Sequence, residues 1–274
     1  MPVDVEASVL GNTRLSDDYN VLALDAPAIA ERVQPGQFVM VKPGSASDPL
    51  LRRPFSVFEI LRDDAGAPRG ITILNKRIGI GTGLLFALDA GDRLPCLGPL
   101  GRPFGLPPAG AEAWLVAGGV GLGPFATMAE TLLARGTKTT LFYGARRAAD
   151  LHYADWFASR RVDVVTATED GSAGDRGFIT VPLERALSSR AAGRDAALYA
   201  CGPTPMMRAV AGLAERFGRD VEVSLEQTMG CGMGGCYSCV VRVKQDGHAP
   251  HFVRSCIAGP TFRARDIVWE ELAH

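Results

Sequence analysis

With 274 residues, of which 47% are apolar, the chain can bury a large core but is longer than one core ordinarily organises, so two domains with a possible appendage are expected. Its 29 Lys and Arg against 30 Asp and Glu leave a formal net charge of -1, which excludes the basic footprint of a nucleic-acid or polybasic membrane binder and points to small molecules or proteins as partners. No run of about 18 apolar residues occurs, and Met1-Pro-Val-Asp-Val-Glu6 opens as a strand without a basic flank and apolar signal region, so a cytoplasmic protein is expected.

Residues 1 to about 100 alternate apolar and polar positions between Gly and Pro turns. Strands are expected at Val3 to Val9, Asn20 to Leu24, Phe38 to Lys42, Pro54 to Ile60, Gly70 to Leu74 and Asp92 to Leu97, arranged as an antiparallel barrel. Gly98-Pro-Leu-Gly-Arg-Pro-Phe-Gly-Leu-Pro-Pro108 is dense in turn formers, and the first domain is expected to end there, at 106. From Glu112 the rhythm becomes strand, loop, helix. Buried strands are expected at Ala113 to Ala117, Thr139 to Tyr143, Val162 to Ala167, Ala196 to Cys201 and Val221 to Leu225. Helices are expected at Pro124 to Arg135, Asp150 to Arg160, Val181 to Arg190 and Pro205 to Phe217, the last with Thr204 as N-cap and Pro205 in its first position. This alternation predicts a five-stranded parallel, doubly wound α/β domain over 107–223. A small third domain, 224–274, would hold a cysteine cluster and a hairpin from Val240 to Val253 with Asp246-Gly247 at its turn.

Six cysteines in such a chain read as metal or redox sites rather than disulfides. Four of them, Cys231, Cys236, Cys239 and Cys256, follow C-x4-C-x2-C with one return cysteine, the plant-type ligand order of a [2Fe-2S] cluster, and imply electron transfer. Gly230, Gly232, Gly234 and Gly235 would let the backbone take positive φ and bring N–H groups to the sulfurs. Structural zinc is the rival, but it usually draws its cysteines as two C-x2-C pairs and only one such pair is present.

Gly118-Gly-Val-Gly-Leu-Gly-Pro124 follows the first strand of the second domain and opens a helix, where a pyrophosphate can meet free N–H groups and the helix dipole. Gly118, Gly119, Gly121 and Gly123 are therefore candidate nucleotide contacts, although the acidic residue usual at the tip of the second strand is missing; that strand ends Tyr143-Gly-Ala-Arg146. Tight strand-to-helix packing alone would also explain the glycines. Ala200-Cys-Gly-Pro-Thr204 lies at the carboxyl edge of the same sheet, so Cys201, Gly202 and Pro203 can face a nicotinamide; equally, Cys201 can be a small buried apolar residue. Arg52-Arg-Pro-Phe-Ser56 offers a guanidinium clamp for pyrophosphate and a hydroxyl for a flavin edge, and Gly79-Ile-Gly-Thr-Gly83 a phosphate-cradling loop at a helix start. Each of these two stretches also reads as an ordinary solvated turn.

Taken together, Leu51-Arg-Arg-Pro-Phe-Ser56, Gly79-Ile-Gly-Thr82, Gly98-Pro-Leu-Gly101, Ala117-Gly-Gly-Val-Gly121, Thr168-Glu-Asp-Gly171, Tyr199-Ala-Cys-Gly-Pro203 and the segment beginning Ser224-Leu-Glu226 resemble the electron-transfer subunit of NAD-dependent (class 1B) dihydroorotate dehydrogenase, in the ferredoxin reductase superfamily. The resemblance covers nearly the whole chain. A return cysteine separated by 16 residues from the last of C-x4-C-x2-C is its most particular mark. It implies an FAD-binding barrel with FAD held by Arg53, Pro54, Phe55 and Ser56, by Leu74, Asn75 and Lys76, and by Gly81 and Thr82, with the four cysteines on the cluster. NAD would be the diffusible co-substrate. The partner it implies is an FMN-containing dihydroorotate dehydrogenase subunit, in a heterotetramer of two of each, serving de novo pyrimidine (UMP) synthesis. Gly101-Arg-Pro-Phe104 is bulkier than the turn expected there, and His248 and His251 leave open a Rieske-like ligand set, although four suitably spaced cysteines already complete the coordination. Nicotinamide exchanges a hydride and a cluster single electrons, so FAD stands between them. The alternative function is a reductase component serving a hydrogenase or oxygenase with the same modules; a zinc-binding interaction module without flavin is the alternative of a different class.

Overall fold

The structure is a computed structural model and describes residues 1–44, 49–189, 196–245 and 248–272. Its first part runs β1 (Val3–Arg14), β2 (Tyr19–Asp25), α1 (Pro27–Ala30), β3 (Phe38–Val41), β4 (Arg53–Ser56), β5 (Ile60–Arg62), β6 (Pro68–Lys76), α2 (Ile80–Ala87) and β7 (Arg93–Leu100). These strands form one sheet in the order β4-β3-β7-β1-β2-β6-β5, antiparallel at every pairing. The sheet curls until β4 lies against β6, and Val9, Leu22, Leu24, Val39, Val41, Ile71, Ile73 and Leu85 fill its interior. The stretch expected as one strand from Pro54 to Ile60 divides between opposite edges: β4 pairs with β3, then Val57 and Phe58 turn the corner and β5 pairs with β6. Apolar alternation continues through the corner, so it carries no sign that the hydrogen-bonding partner changes.

The second part runs β8 (Ala113–Gly118), α3 (Phe125–Ala134), β9 (Thr139–Ala145), α4 (Ala154–Ser159), β10 (Asp163–Thr168), β11 (Asp175–Arg176), α5 (Thr180–Ser188), β12 (Ala197–Cys201), α6 (Thr204–Arg216) and β13 (Val221–Ser224). The tail adds β14 (Val240–Gln245), β15 (His248–Arg254), α7 (Ser255–Ala258) and β16 (Thr261–Arg263). The second sheet has the order β11-β10-β9-β8-β12-β13-β16. Its five expected strands form a contiguous parallel core; the short β11 extends one edge, and β16 returns from the tail to close the other, antiparallel to β13. Chain order reverses between β8 and β12, which creates the crevice where open α/β sheets bind ligands. Leu115, Leu141 and Tyr143 pack with α3 and α4 on one face, and Val116, Phe142 and Leu198 with α5 and α6 on the other.

Some boundaries shift for local reasons. Pro203 is the N-cap of α6 and Thr204 already helical, and Tyr153, at φ +64°, confines α4 to the second half of the expected Asp150 to Arg160. Arg190 and the Asp246-Gly247 turn lie outside the described residues; β14 and β15 pair antiparallel as a hairpin would require.

The bulk of Gly101-Arg-Pro-Phe104 joins all three parts. Phe104 is buried, stacked on Phe125 at 6.0 Å between ring centroids and edge-on to Tyr199 at 5.4 Å. Tyr199 Oη donates to Gly105 O at 2.7 Å, Glu222 accepts from Gly105 N–H at 3.0 Å, and Arg102 N–H donates to Gly259 O in the tail at 2.6 Å.

Candidate cofactor sites

All four residues of β4 are half-buried at the sheet edge: Arg53 stands opposite Val41, Pro54 opposite Met40, Phe55 opposite Val39 and Ser56 opposite Phe38. Arg53 Nη1 donates to Leu51 O at 2.8 Å and Arg52 O at 3.2 Å, and its Nε lies 3.3 Å from where a Cβ on Gly81 would stand. The guanidinium is thus held over the first turn of α2. There Gly83 N–H already bonds Gly79 O, so the N–H groups of Ile80, Gly81 and Thr82 have no partner within the helix. Thr82 Oγ1 accepts from Gly79 N–H at 3.0 Å and Ile78 N–H at 2.9 Å, which shapes the preceding loop. A guanidinium beside unpaired helix N–H groups suits a pyrophosphate.

The end of β6 supplies Leu74, Asn75 and Lys76. Leu74 is buried, Lys76 Nζ lies 5.1 Å from the centroid of the Tyr19 ring, and Asn75 is fully buried with its Oδ1 unpartnered among the described residues. The residues therefore fit FAD on two observations of their own: a cradle at Gly81 that a side chain would crowd, and an orphaned buried acceptor at Asn75.

At the crevice between β8 and β12 the loops touch through glycine backbones. A Cβ on Gly121 would stand 2.2 Å from Cys201 O, one on Gly118 2.6 Å from Met206 Sδ and 3.0 Å from Pro203 Cδ, and one on Gly202 3.0 Å from Gly118 N. Gly119 takes φ +55° beside the Tyr19 hydroxyl, and Gly123 sits against Ser56, 3.4 Å from its Cβ to the position of a Cβ on the glycine. The glycine loop of the second sheet is thereby pressed onto β4 of the first. Cys201 itself is buried, packed with Ala117 and Tyr199; burial drives its thiol well above the usual range, although a Ser224 hydroxyl bond and Gly202 N–H oppose this. It is a neutral packing group rather than a nucleophile.

The cluster loop packs on the outer face of the barrel. Cys239 and Cys256 are buried with Met229 against Phe38 and Met40 of β3 and Leu97 and Leu100 of β7. The thiols form two pairs. Cys236 interacts with Cys231, and Cys256 N–H points at Cys239 Sγ, 3.5 Å away. Ser238, through its hydroxyl and N–H, and Cys231 draw Cys236 down to about 6, while burial and the adjacent Cys239 push Cys256 up to about 12. Gly235 N–H and Met233 N–H donate to Cys231 Sγ at 3.2 and 3.4 Å. Among the described residues no three His, Cys, Asp or Glu side chains gather about one ion. Four thiols on this loop and its return helix are the donor set that a binuclear cluster takes.

Of the loop glycines, Gly232 and Gly234 take φ +70° and +82°, and a Cβ on Gly232 would stand 2.5 Å from Met40 Cγ. Gly230 and Gly235 depart from expectation in having no positive φ; Gly230 is instead held close by Cys236 Sγ, and Gly235 contributes only its N–H. His251 is exposed in β15 opposite Val243, and the side chain of His248 lies outside the described residues. Reading residues alone missed Met40 and Leu100 as the floor of the cluster loop and Ser238 as the partner of Cys236. Only the last had a local signal, a hydroxyl inside C-x2-C.

Comparison with known proteins agrees with this geometry. Residues 115–212 match the oxidoreductase NAD-binding domain family, and residues 226–268 match the iron-sulfur cluster binding domain of dihydroorotate dehydrogenase B. The dihydroorotate dehydrogenase B (NAD(+)) electron transfer subunit of Desulforamulus reducens is 36% identical, over 97% of this chain and 98% of its own length. That of Bacillus caldolyticus is 42% identical, over 90% of this chain and 91% of its own. The chain belongs to the dihydroorotate dehydrogenase B electron transfer subunits. Like the family, it is an oxidoreductase component with a ferredoxin reductase fold. The structure of an NADH-dependent reduced ferredoxin-NADP oxidoreductase, described for flavin-based electron bifurcation, superposes with a TM-score of 0.84 at 27% identity, covering 98% of this chain and 91% of that one. Among the described residues no helix is long and apolar enough to cross a membrane.

Proposed function

We propose that this electron transfer subunit carries electrons between NAD and an FMN-containing dihydroorotate dehydrogenase subunit, through FAD and one [2Fe-2S] cluster, in pyrimidine synthesis. The division of labour follows three domains, 1–106 for FAD, 107–223 for NAD and 224–274 for the cluster, in a cytoplasmic heterotetramer of two subunits of each kind. FAD supplies, when bound, the exchange between a nicotinamide's electron pair and single electrons. The chain's residues do the rest. Arg53 and the first turn of α2 hold its phosphates, Ser56 reaches the ring edge, and Gly118, Gly119, Gly121 and Gly123 admit the NAD pyrophosphate beside Gly202 and Pro203. Cys201 fixes the backbone against which the glycine loop closes. Cys231 with Cys236, and Cys239 with Cys256, ligate the cluster.

What supports this reading most is the neighbourhood of β3. The thiols Cys239 and Cys256 pack on Phe38 and Met40, and the next strand is β4, which carries the proposed flavin contacts. The strand under the thiols and the strand with the proposed flavin contacts are thus hydrogen-bonded neighbours, about 4.8 Å apart. Anaerobic purification from the native cell tests it: the chain should come down with an FMN protein that oxidises dihydroorotate, and carry FAD with about two irons and two acid-labile sulfides per chain. Zinc without sulfide would overturn the cluster assignment, and a different redox partner would overturn the pathway.

A further inference from the structure

We propose that Asn12, Asn20 and Asn75 form an oriented chain of amides that positions α2, and that these residues thereby set how tightly the FAD phosphates are held. The proposal rests on the flavin reading above.

Helix α2 has little of its own to fix it. It is eight residues long with glycine at 81 and 83, carries no acidic residue in its first turn and no basic residue in its last, and buries only Gly81 and Leu85, while Ile80 is exposed. So short a helix does not hold itself in water, and its glycines weaken it further. Its orientation has to be imposed from the barrel.

The amides impose it at both ends. Asn12 Nδ2, from β1, donates one N–H to Leu88 O at 2.7 Å and shares the other between Phe86 O at 3.2 Å and Leu85 O at 3.3 Å, carbonyls of the last turn and cap. Carbonyls only accept, so the Asn12 amide has a single orientation, with Oδ1 turned to Asn20 of β2. That oxygen accepts from Asn20 Nδ2 at 2.6 Å, which leaves Asn20 Oδ1 to accept from Asn75 Nδ2 of β6 at 2.7 Å. Asn75 Nδ2 also donates to Thr82 O in the first turn at 3.0 Å. Donor direction therefore runs without a break from Asn75 through Asn20 to Asn12 and the C-terminal carbonyls. Asn20 and Asn75 are fully buried, so no water competes along the core of the chain. The first turn that Asn75 grips is the one whose N–H groups stand beside the Arg53 guanidinium. Asn20 touches neither end of the helix and acts only through its neighbours, which makes it a positioning residue.

Asn20→Leu removes both amide links at nearly constant volume. With holoprotein stripped of flavin and titrated by fluorescence quenching, FAD affinity should fall about tenfold or more, the equivalent of one good hydrogen bond lost from the site. Riboflavin affinity should change by less than about twofold, because riboflavin has no phosphate for α2 to meet. Asn12→Leu should lose less, and the double variant no more than Asn20→Leu alone, since the links are in series. Visible absorption from the cluster should be unchanged in all three. Unaltered FAD affinity in folded Asn20→Leu, an equal loss for riboflavin, or additive losses in the double variant would overturn the proposal. Should Asn20→Leu fail to fold, the half-buried Asn12 decides: Asn12→Asp, which presents acceptors to acceptors, must weaken FAD selectively and Asn12→Gln partly restore it. Wild-type protein that binds riboflavin and FAD equally would instead remove the phosphate site on which the proposal rests.

Discussion

Arg53 and Cys201 show how differently two residues near one cleft can serve it. Arg53 is half-buried, held by Leu51 O and Arg52 O over the first turn of α2, and it makes no ion pair among the described residues, whereas its neighbour Arg52 pairs with Asp4. A hydrogen bond to a charged group is worth about 1.5–3 kcal/mol, so Arg53→Ala should weaken FAD binding roughly ten- to a hundredfold. Iron and sulfide content should not change, because the thiols sit on the opposite side of β3 and β4; loss of the cluster with undiminished flavin would contradict the assignment. Cys201 is the opposite case. Its thiol is buried and driven away from ionisation, as is that of Cys96, pushed up to about 12 by burial. In native protein at mild alkaline pH neither should react with iodoacetamide on the timescale of minutes, and both should react on unfolding; mass spectrometry of labelled peptides reads this directly. Rapid native labelling of Cys201 would mean that the nicotinamide loop is open.

At the scale of elements, the cluster loop is fitted to the barrel by one glycine. Gly232→Ala would place a Cβ 2.5 Å from Met40 Cγ at φ +70°, a combined cost of about 1–3 kcal/mol, and should lower iron per chain. Gly235→Ala, with open space and an ordinary φ, should keep its full complement and serves as the control. A second element contact is pH-dependent. Between the two sheets Glu59 has its carboxyl raised by burial, then by Glu130 on α3, against the lowering influence of Arg160, Thr72 and Trp156. The folded protein thus binds this proton more tightly than the unfolded chain, and the stability linked to it is lost as pH rises from the ordinary glutamate value near about 4.3 into the raised range, and stays lost above. Glu59→Gln should therefore melt higher than wild type at pH 8, and the difference should close toward about pH 4; a constant difference would assign the effect to packing. These elements differ in how far the sequence disclosed them. The parallel strands were legible because β8 and β12 are apolar runs ending at glycine and the other three are apolar-rich stretches spaced between helical ones, and the cysteine order was legible because ligand spacing is chemistry. What stayed hidden was partnership across distance: that Pro54 to Ile60 serves two edges, that β16 crosses to β13, and that three asparagines scattered over β1, β2 and β6 meet. Register and long-range contact leave no local mark.

For the whole molecule, the arrangement is a line. The glycine loop of the second sheet rests on Ser56 of β4, the strand of the proposed flavin contacts, β3 pairs with β4, and the buried thiols of the tail pack on β3. In the proposed reading nicotinamide and flavin meet without the tail, and electrons reach the partner through it. Cys236→Ser removes one of four thiolates and should abolish stable cluster assembly while NADH still bleaches bound FAD at the wild-type rate. The decisive measurement follows both halves in one reconstituted complex: anaerobic stopped-flow absorbance after mixing with dihydroorotate, wild type against Cys236→Ser. In wild type the partner's FMN, the cluster and then FAD should become reduced in that order, with NADH formed on addition of NAD. In the FAD-replete variant the partner's FMN should be reduced while FAD remains oxidised and no NADH appears. Normal FAD reduction and NADH formation in the variant without a cluster would contradict the account.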